Sequence, residues 1–425
     1  MTITIFLGSL IGAMCLGTPI AFALLVCGVA LMWHLDMLNT QILAQNLLEG
    51  TNSFPLLAVP FFLLAGELMN AGGLSQRIVR VADALVGHVR GGLGYVALLA
   101  AAVVASMSGS AVADSAAVAA LLIPMMRKMG YNVPWSAGLI AAGGIIAPVI
   151  PPSIALIVYG VAANISITKL FMTGLVPGVL MAVMLGLTWT LCARKEPGAR
   201  AHGFDARALK QALYEGIWSL VLPVVIIGGM RFGVFTPTEA AVVAVVYSLA
   251  VGAFIYKELK WRDLPALLLT AAKTSSAVMF LVAAALVSAW LITVADVPSQ
   301  ARAILEPFMD NKTLLMAVIM LLVLAVGTAL DLMPTVLILT PILAPVVQQA
   351  GIDPYYFGVM FVMNNAIGLL TPPVGVVLNV VAGVARINLE DVMRGTLPFL
   401  ASQALLMFLF VLFPEIITIP ARWFY

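Results

Sequence analysis

Apolar runs of about twenty residues follow one another along almost the whole chain, separated by short polar links. At 1.5 Å per residue, about 20 apolar residues in a helix cross a hydrocarbon core of about 30 Å. Runs of this kind cover 54–71, 135–163, 170–193, 217–235, 238–256, 264–295, 355–385 and 397–420. The opening run, 2–33, is too long for one upright span and is interrupted at Gly17-Thr18-Pro19, which predicts two short helices. It lacks a basic start and a small-residue cleavage site, so it reads as retained membrane segment. Two further apolar stretches carry polar centres: 91–126 holds Ser106-Met107-Ser108-Gly109-Ser110 and Asp114, and 313–347 holds Gly327-Thr328 and Asp331. Their arms, of about 13–18 residues, are short for a crossing, which points to re-entrant helical hairpins. Two closely spaced short spans would give the same pattern. The prediction is an all-α polytopic membrane protein of about ten spans, two of them interrupted, plus two hairpins.

Composition agrees. Of 425 residues 63% are hydrophobic and 9% charged, with mean hydropathy +1.11, against roughly a quarter charged in soluble domains. This excludes a water-soluble globular protein, a disordered chain and a nucleic-acid binder. Cys15, Cys27 and Cys192 lie in apolar runs without CxxC spacing, which speaks against a metal or redox role. The net charge of +2 matters less than where the bases sit. Lys and Arg stay cytoplasmic. Arg77, Arg80 and Arg90 precede the first hairpin, and Arg127 and Lys128 follow it. The loop 194–211, with Arg194, Lys195, Arg200, Arg207 and Lys210, and the stretch Lys257 to Arg262 are likewise basic. The second hairpin opens between 296–312, mixed in charge, and 348–353, which has no base. It therefore faces the other side, and counting crossings places both termini outside.

The halves repeat. Pro124 and Pro345 are 221 residues apart, and so are Gly130 and Gly351, Pro151-Pro152 and Pro372-Pro373, Gly174 and Gly395, and Pro177 and Pro398. With small gaps the match extends to Ser75-Gln76 with Ser299-Gln300 and Thr18-Pro19 with Thr236-Pro237. This divides the chain into a first repeat, 1–193, a cytoplasmic basic linker, 194–211, and a second repeat, 212–425, inserted in opposite orientations. Inverted repeats with broken helices are the build of secondary transporters, with a site near the midplane. The breaks lie in 135–163, at Gly143, Gly144 and Pro151-Pro152-Ser153, and in 355–385, at Asn364, Asn365, Gly368 and Thr371-Pro372-Pro373. Proline lacks an amide donor and frees the carbonyl four residues back. Such carbonyls, with hydroxyls and small residues at the hairpin tips, suit a dehydrated Na⁺, and resumed helix starts suit an anion. Simple kinks for packing would need less. Asp114 and Asp331 flank the tips and are expected to stabilise them, either through a cation field or by hydrogen bonds to backbone amides. Lys273, inside the run 264–295, is assigned no transport role.

The hairpin segment Ser106 to Asp114, the break Gly143 to Ser153, Gly327 to Asp331 with the following Leu339-Thr340-Pro341, and Thr371-Pro372-Pro373 resemble the large membrane subunit of tripartite ATP-independent periplasmic (TRAP) transporters. The resemblance covers essentially the whole chain. It implies an inner-membrane elevator in which a transport domain carrying hairpins and breaks slides against a scaffold. It also implies Na⁺ as coupling ion with no other cofactor, a separate small four-helix membrane subunit, and a periplasmic substrate-binding protein. Family substrates are mostly carboxylates: C4-dicarboxylates, sialic acid and sugar acids. One Na⁺ site would lie between the Ser106–Ser110 tip and the Gly143–Pro152 break, near Ser110 and Gly144. The other would lie between Gly327–Asp331 and Asn364–Pro373, near Thr328 and Thr371. A self-sufficient Na⁺/dicarboxylate symporter of the same superfamily is the alternative. An intramembrane hydrolase is disfavoured, because no histidine lies in any span to activate Ser108, and Asp114 and Asp331 belong to opposite-facing copies.

Overall fold

The computed structural model of the chain describes residues 2–194 and 203–424, and of Ile3, Met107 and Ser108 the backbone alone. Lys195 and Arg200 of the basic linker lie outside the described residues. Helices account for nearly all the rest. The first five are α1 (Thr2–Cys15), α2 (Ile20–His34), α3 (Thr40–Thr51), α4 (Ala58–Ala71) and α5 (Leu74–Val86). A helical hairpin follows, α6 (Gly92–Ser108) and α7 (Ala111–Lys128), then α8 (Val133–Gly144), α9 (Ile154–Ala162) and α10 (Ile167–Ala193). The second half contains α11 (Ala206–Arg231), α12 (Pro237–Ala250), the 31-residue α13 (Leu264–Val294) and the short α14 (Val297–Leu305). A second hairpin, α15 (Lys312–Gly327) and α16 (Leu332–Gln349), leads to α17 (Pro354–Gly368), α18 (Val376–Ala385), α19 (Leu389–Leu412) and α20 (Glu415–Arg422).

Among the described residues seven helical stretches are long and apolar enough to cross a bilayer: Phe54–Ala71, Ile167–Ala193, Ala206–Arg231, Pro237–Ile255, Trp261–Val294, Leu332–Gln349 and Leu389–Leu412. Five shorter apolar helices accompany them among the described residues. The chain is thus a multi-pass, all-α membrane protein. The opening run divides at Gly17-Thr18-Pro19 as its pattern predicts. Other boundaries move. The run 217–235 starts eleven residues earlier, because Asp205 accepts from the amides of Arg207 and Ala208 and caps a charged first stretch of α11. The run 397–420 is two helices, since Pro414 cannot continue α19. Helix α3 escapes a hydropathy reading altogether. Gln41, Gln45, Asn46 and Glu49 dilute its apolar face, and Asn39 caps it.

Contacts group the helix ends into two ends of the molecule. At one, Trp189 Nε1 donates to Gly91 O at 2.8 Å, Arg90 donates to Arg194 O at 3.0 Å, and Arg127 donates to Ala385 O at 2.6 Å. At the other, Lys312 Nζ donates to Gly351 O at 2.7 Å, Tyr356 donates to Phe410 O at 2.9 Å, and Lys169 stands 5.7 Å from the Tyr355 ring. The α6–α7 hairpin opens at the first end and α15–α16 at the second. Helices α3 and α4 run antiparallel to α13: Gly50 packs on Ala283 and Leu286, while Leu63 shares a cavity with Thr274 and Val278.

Candidate functional site

Each hairpin ends where a helix breaks. Between α6 and α7 only Gly109 and Ser110 make the turn. Gly109 adopts φ +65°, and a Cβ there would lie 2.7 Å from Pro152 O and 3.1 Å from Ser153 Cα, so this tip sits directly on the Pro151-Pro152 break. Ser110 caps α7 by accepting from Ala113 N at 3.3 Å. Gly144, the last residue of α8, packs on Ala111 O and on Ser115 Oγ. Ser115 is 1% exposed, and its hydroxyl has no hydrogen-bond partner among the described residues. Its i+4 relation to Ala111 brings it to the break; the sequence pattern, which looks for polar residues at the tip, passes over it.

The second tip, a longer turn from Thr328 to Asp331, also sits on its break. Gly368, ending α17, packs so closely on Gly327 that a Cβ there would lie 2.8–3.0 Å from the Gly327 backbone, and a Cβ on Gly327 would lie 2.6 Å from Asn365 Oδ1. Asn365 Nδ2 donates across the hairpin to Leu332 O at 3.2 Å. Its Oδ1 has no hydrogen-bond partner among the described residues, although the residue is wholly buried. A buried, unsatisfied oxygen costs free energy unless a donor or a cation meets it. The hydroxyls of Ser106, Thr328 and Thr371 donate to Val103 O, Ala325 O and Ile367 O, within their own helices or tips. Their lone pairs therefore stay available to a cation. These are hard oxygen donors, which suit a hard cation.

Not every expected residue converges. Ser153 is occupied in shaping the break, donating to Pro148 O at 2.5 Å and accepting from Leu156 N to cap α9. Gly143 faces Ala101 and Leu98 of α6 rather than the tip. Asn364 donates to Met320 O, two turns back from the second tip. Asp114 and Asp331 hold different stations: Asp331 is the exposed N-cap residue of α16, the station Ser110 holds on α7, whereas Asp114 is buried in the first turn of α7. The first break is buried throughout, whereas Pro372 and Pro373 are exposed. There Asn379, which the sequence reading passed over, donates to Val374 O at 2.6 Å.

The two tips meet at one cavity of about 140 Å³. Its wall includes Gly109, Ser110 and Ala111 of the first tip, Asp331, Leu332 and Met333 of the second, and Ile154 and Leu369 from the two breaks. Leu63 of α4 and Thr274 and Val278 of α13 close it. The starts of α7, α9 and α16 thus all border the cavity; helix starts favour an anion, and Asp114 in the first turn of α7 and Asp331 at the N-cap of α16 work against it. Hairpin arms of 16–18 residues put the cavity about 25 Å from either mouth.

Two tips docked on two helix breaks around a shared cavity, within a polytopic helical body, define a membrane transporter. Residues 7–416 match the family described as "Tripartite ATP-independent periplasmic transporter, DctM component", and the chain belongs to that family as the large permease component of a TRAP transporter. It is 55% identical over 423 residues to the 2,3-diketo-L-gulonate TRAP transporter large permease protein YiaN of Escherichia coli K12, and 54% identical over 423 residues to a TRAP transporter large permease protein of Haemophilus influenzae. Both alignments cover 100% of each chain. The crystal structure of the Alcanivorax borkumensis YdaH transporter has the same fold, with TM-score 0.62 at 15% identity over 87% of this chain and 86% of that one.

Proposed function

We propose that this permease imports a small organic anion, a carboxylate or sugar acid, together with Na⁺, by an elevator movement in the bacterial inner membrane. The similarity to a 2,3-diketo-L-gulonate permease favours a sugar acid of that kind. In this reading both termini are periplasmic, residues 1–193 and 212–425 are inverted repeats joined by the cytoplasmic linker 194–211, and both hairpins are re-entrant. Helices α6–α10 and α15–α19 form the moving body, and α1–α5 with α11–α14 the scaffold, braced by a separate small four-helix subunit. A periplasmic binding protein delivers the anion. One Na⁺ lies among the Ala111 carbonyl, Ser115, Gly144 and the Ser106–Ser110 tip, and a second among Gly327, Thr328, Asn365, Gly368 and Thr371.

One observation carries this reading: each tip is docked on its own break, and both border the same cavity. An ion that fixes a tip on a break therefore also shapes the anion's wall. The test is reconstitution of the chain in proteoliposomes with its small subunit and binding protein. Uptake of 2,3-diketo-L-gulonate should need an inward Na⁺ gradient and both partners. Undiminished uptake in Na⁺-free buffer would refute the coupling. Uptake by this chain alone would establish the self-sufficient symporter instead.

A further inference from the structure

Within one helical turn of the wall of the tip cavity stand three carboxylates and one base. The acids are Glu67, a turn beyond Leu63 on α4, Asp114 on α7, and Asp331 itself; the base is Lys273, the chain neighbour of Thr274 on α13. For an organic anion this is a hostile balance unless fixed cations offset it, because like charges at such range repel across a low-dielectric wall. Helix dipoles supply only about half a charge each. We infer that Lys273 is the scaffold's positive charge for the substrate carboxylate, a specificity-determining residue next to the cavity rather than a bystander at the membrane edge. This inference rests on the anion-import reading above.

Three features support it. Lys273 is exposed, and it lies about 1.5 Å along the helix axis from Thr274. That places it at the depth of the tips, about 25 Å from either hairpin mouth, where a charge facing hydrocarbon is expensive and one facing a water-filled crevice is not. Second, Thr270, Lys273 and Thr274 occur at i, i+3 and i+4, so they lie on one face of α13 as a polar strip beside Ser275 and Ser276. The two threonine hydroxyls satisfy themselves on Ala266 O and Thr270 O, which leaves the ammonium as the strip's free donor to a ligand. Third, α13 belongs to the scaffold in the proposed division. A cation fixed there meets the anion at one stage of the movement and is left behind at another, whereas a cation on a tip would travel with the substrate and retain it.

The test uses the permease purified with its small subunit. Lys273→Met should raise at least tenfold the concentration of free 2,3-diketo-L-gulonate that half-saturates a thermal-shift titration at fixed Na⁺, while the Na⁺ titration stays within twofold. Lys273→Arg should stay near the parent in both. A second measurement works without substrate. With Cys15, Cys27 and Cys192 replaced, Thr274→Cys should react faster with an anionic than with a cationic thiosulfonate of equal size. Adding Lys273→Met should reduce that ratio about tenfold. An unmoved sugar-acid titration in Lys273→Met, or an unmoved reagent ratio, would show a lysine that only reaches the membrane interface and would overturn the inference. If the parent protein itself takes up no anion with Na⁺, the functional reading fails instead, a result separable from both.

Discussion

Replacing Gly109 by alanine tests whether tip docking on the break makes the ion site. Two costs add. At φ +65° an L-residue with a Cβ pays about 1–2 kcal/mol that glycine does not. The new methyl would also lie 2.7 Å from Pro152 O, 3.1 Å from Ser153 Cα and 3.2 Å from Ile154 N. All three are backbone atoms of the buried first break, so none can swing aside as a flexible side chain would. Overpacking of that kind costs about 1–3 kcal/mol. The sum, about 2–5 kcal/mol, opposes only the docked tip, because a tip lifted from the break escapes the contact. If Na⁺ binds only when the tip is docked, and a tip without Na⁺ is mostly undocked, about 2 kcal/mol reduces apparent affinity about 30-fold. The assay is the Na⁺ dependence of uptake in proteoliposomes. Gly383→Ala is the control: nothing lies within 4 Å of its Cβ position in α18, so the change should be neutral or stabilise by about 0.4–1 kcal/mol. Melting temperatures in detergent separate a displaced tip from a failed fold. A Gly109→Ala protein that expresses normally and keeps the parental Na⁺ half-saturation would refute the docking argument.

Other outcomes follow from the same contacts. Thr328→Val should raise the half-saturating Na⁺ concentration of uptake, each lost ligand being worth about 1–3 kcal/mol; Ser110→Ala should do the same and in addition lower thermal stability by about 1 kcal/mol through the lost α7 cap. Gly395→Ala, whose methyl would run into the carbonyl of Pro134 at the α8–α19 crossing, should destabilise the whole body and show as a lower melting temperature at every Na⁺ concentration. Arg77 pairs with Glu258 at 2.7 Å and stacks 3.7 Å from the centre of the Tyr256 ring, with its side chain 15% exposed. Arg77→Gln and Glu258→Gln should therefore each lower the melting temperature, and a double-mutant cycle should return a coupling of about 0.5–3 kcal/mol. Additivity there would mean that the ion pair contributes nothing.

Glycine and proline made the site legible, because they mark where a backbone must turn or lose a donor. Both Pro-Pro pairs are visible as a spaced repeat, and Gly109, Gly144, Gly327 and Gly368 as small residues at polar tips and breaks, before any coordinates, and each glycine of that set stands at a tip or a break end. Side chains that act from inside a regular helix leave no such mark. Ser115 and Thr274 look like any small polar residue on an apolar helix, and only the packing of α7 on α8, or of α13 on the tips, gives them a neighbour. Helix α3 was hidden for the opposite reason: too polar for a hydropathy window, it continues α4 upstream past Asn52 and Ser53. Asp114 and Asp331 look equivalent in the sequence but stand at different places on their helices. Both lie a few residues from a tip, yet Ser110 and Asp331 are the residues that share a station.

That difference in station bears on how a cavity with so little charge of its own could couple a cation to an anion. The two tips turn differently, in two residues with Gly109 at φ +65° and in four residues from Thr328 to Asp331, and they carry different N-cap residues, Ser110 on α7 and Asp331 on α16. Each of these two helix starts has a carboxylate within a turn, Asp114 buried inside the first turn of α7 and Asp331 exposed at the N-cap of α16, so each positive dipole end is offset by an acid at a different station. The two acids thus stand at different places around a cavity of only about 140 Å³, Asp331 in its wall and Asp114 behind the first tip. Because each ligand would order a tip that the other also touches, any factor by which Na⁺ tightens the anion must equal the factor by which the anion tightens Na⁺. Coupling on this scheme needs no direct contact between the two, only that both read the same pair of docked tips.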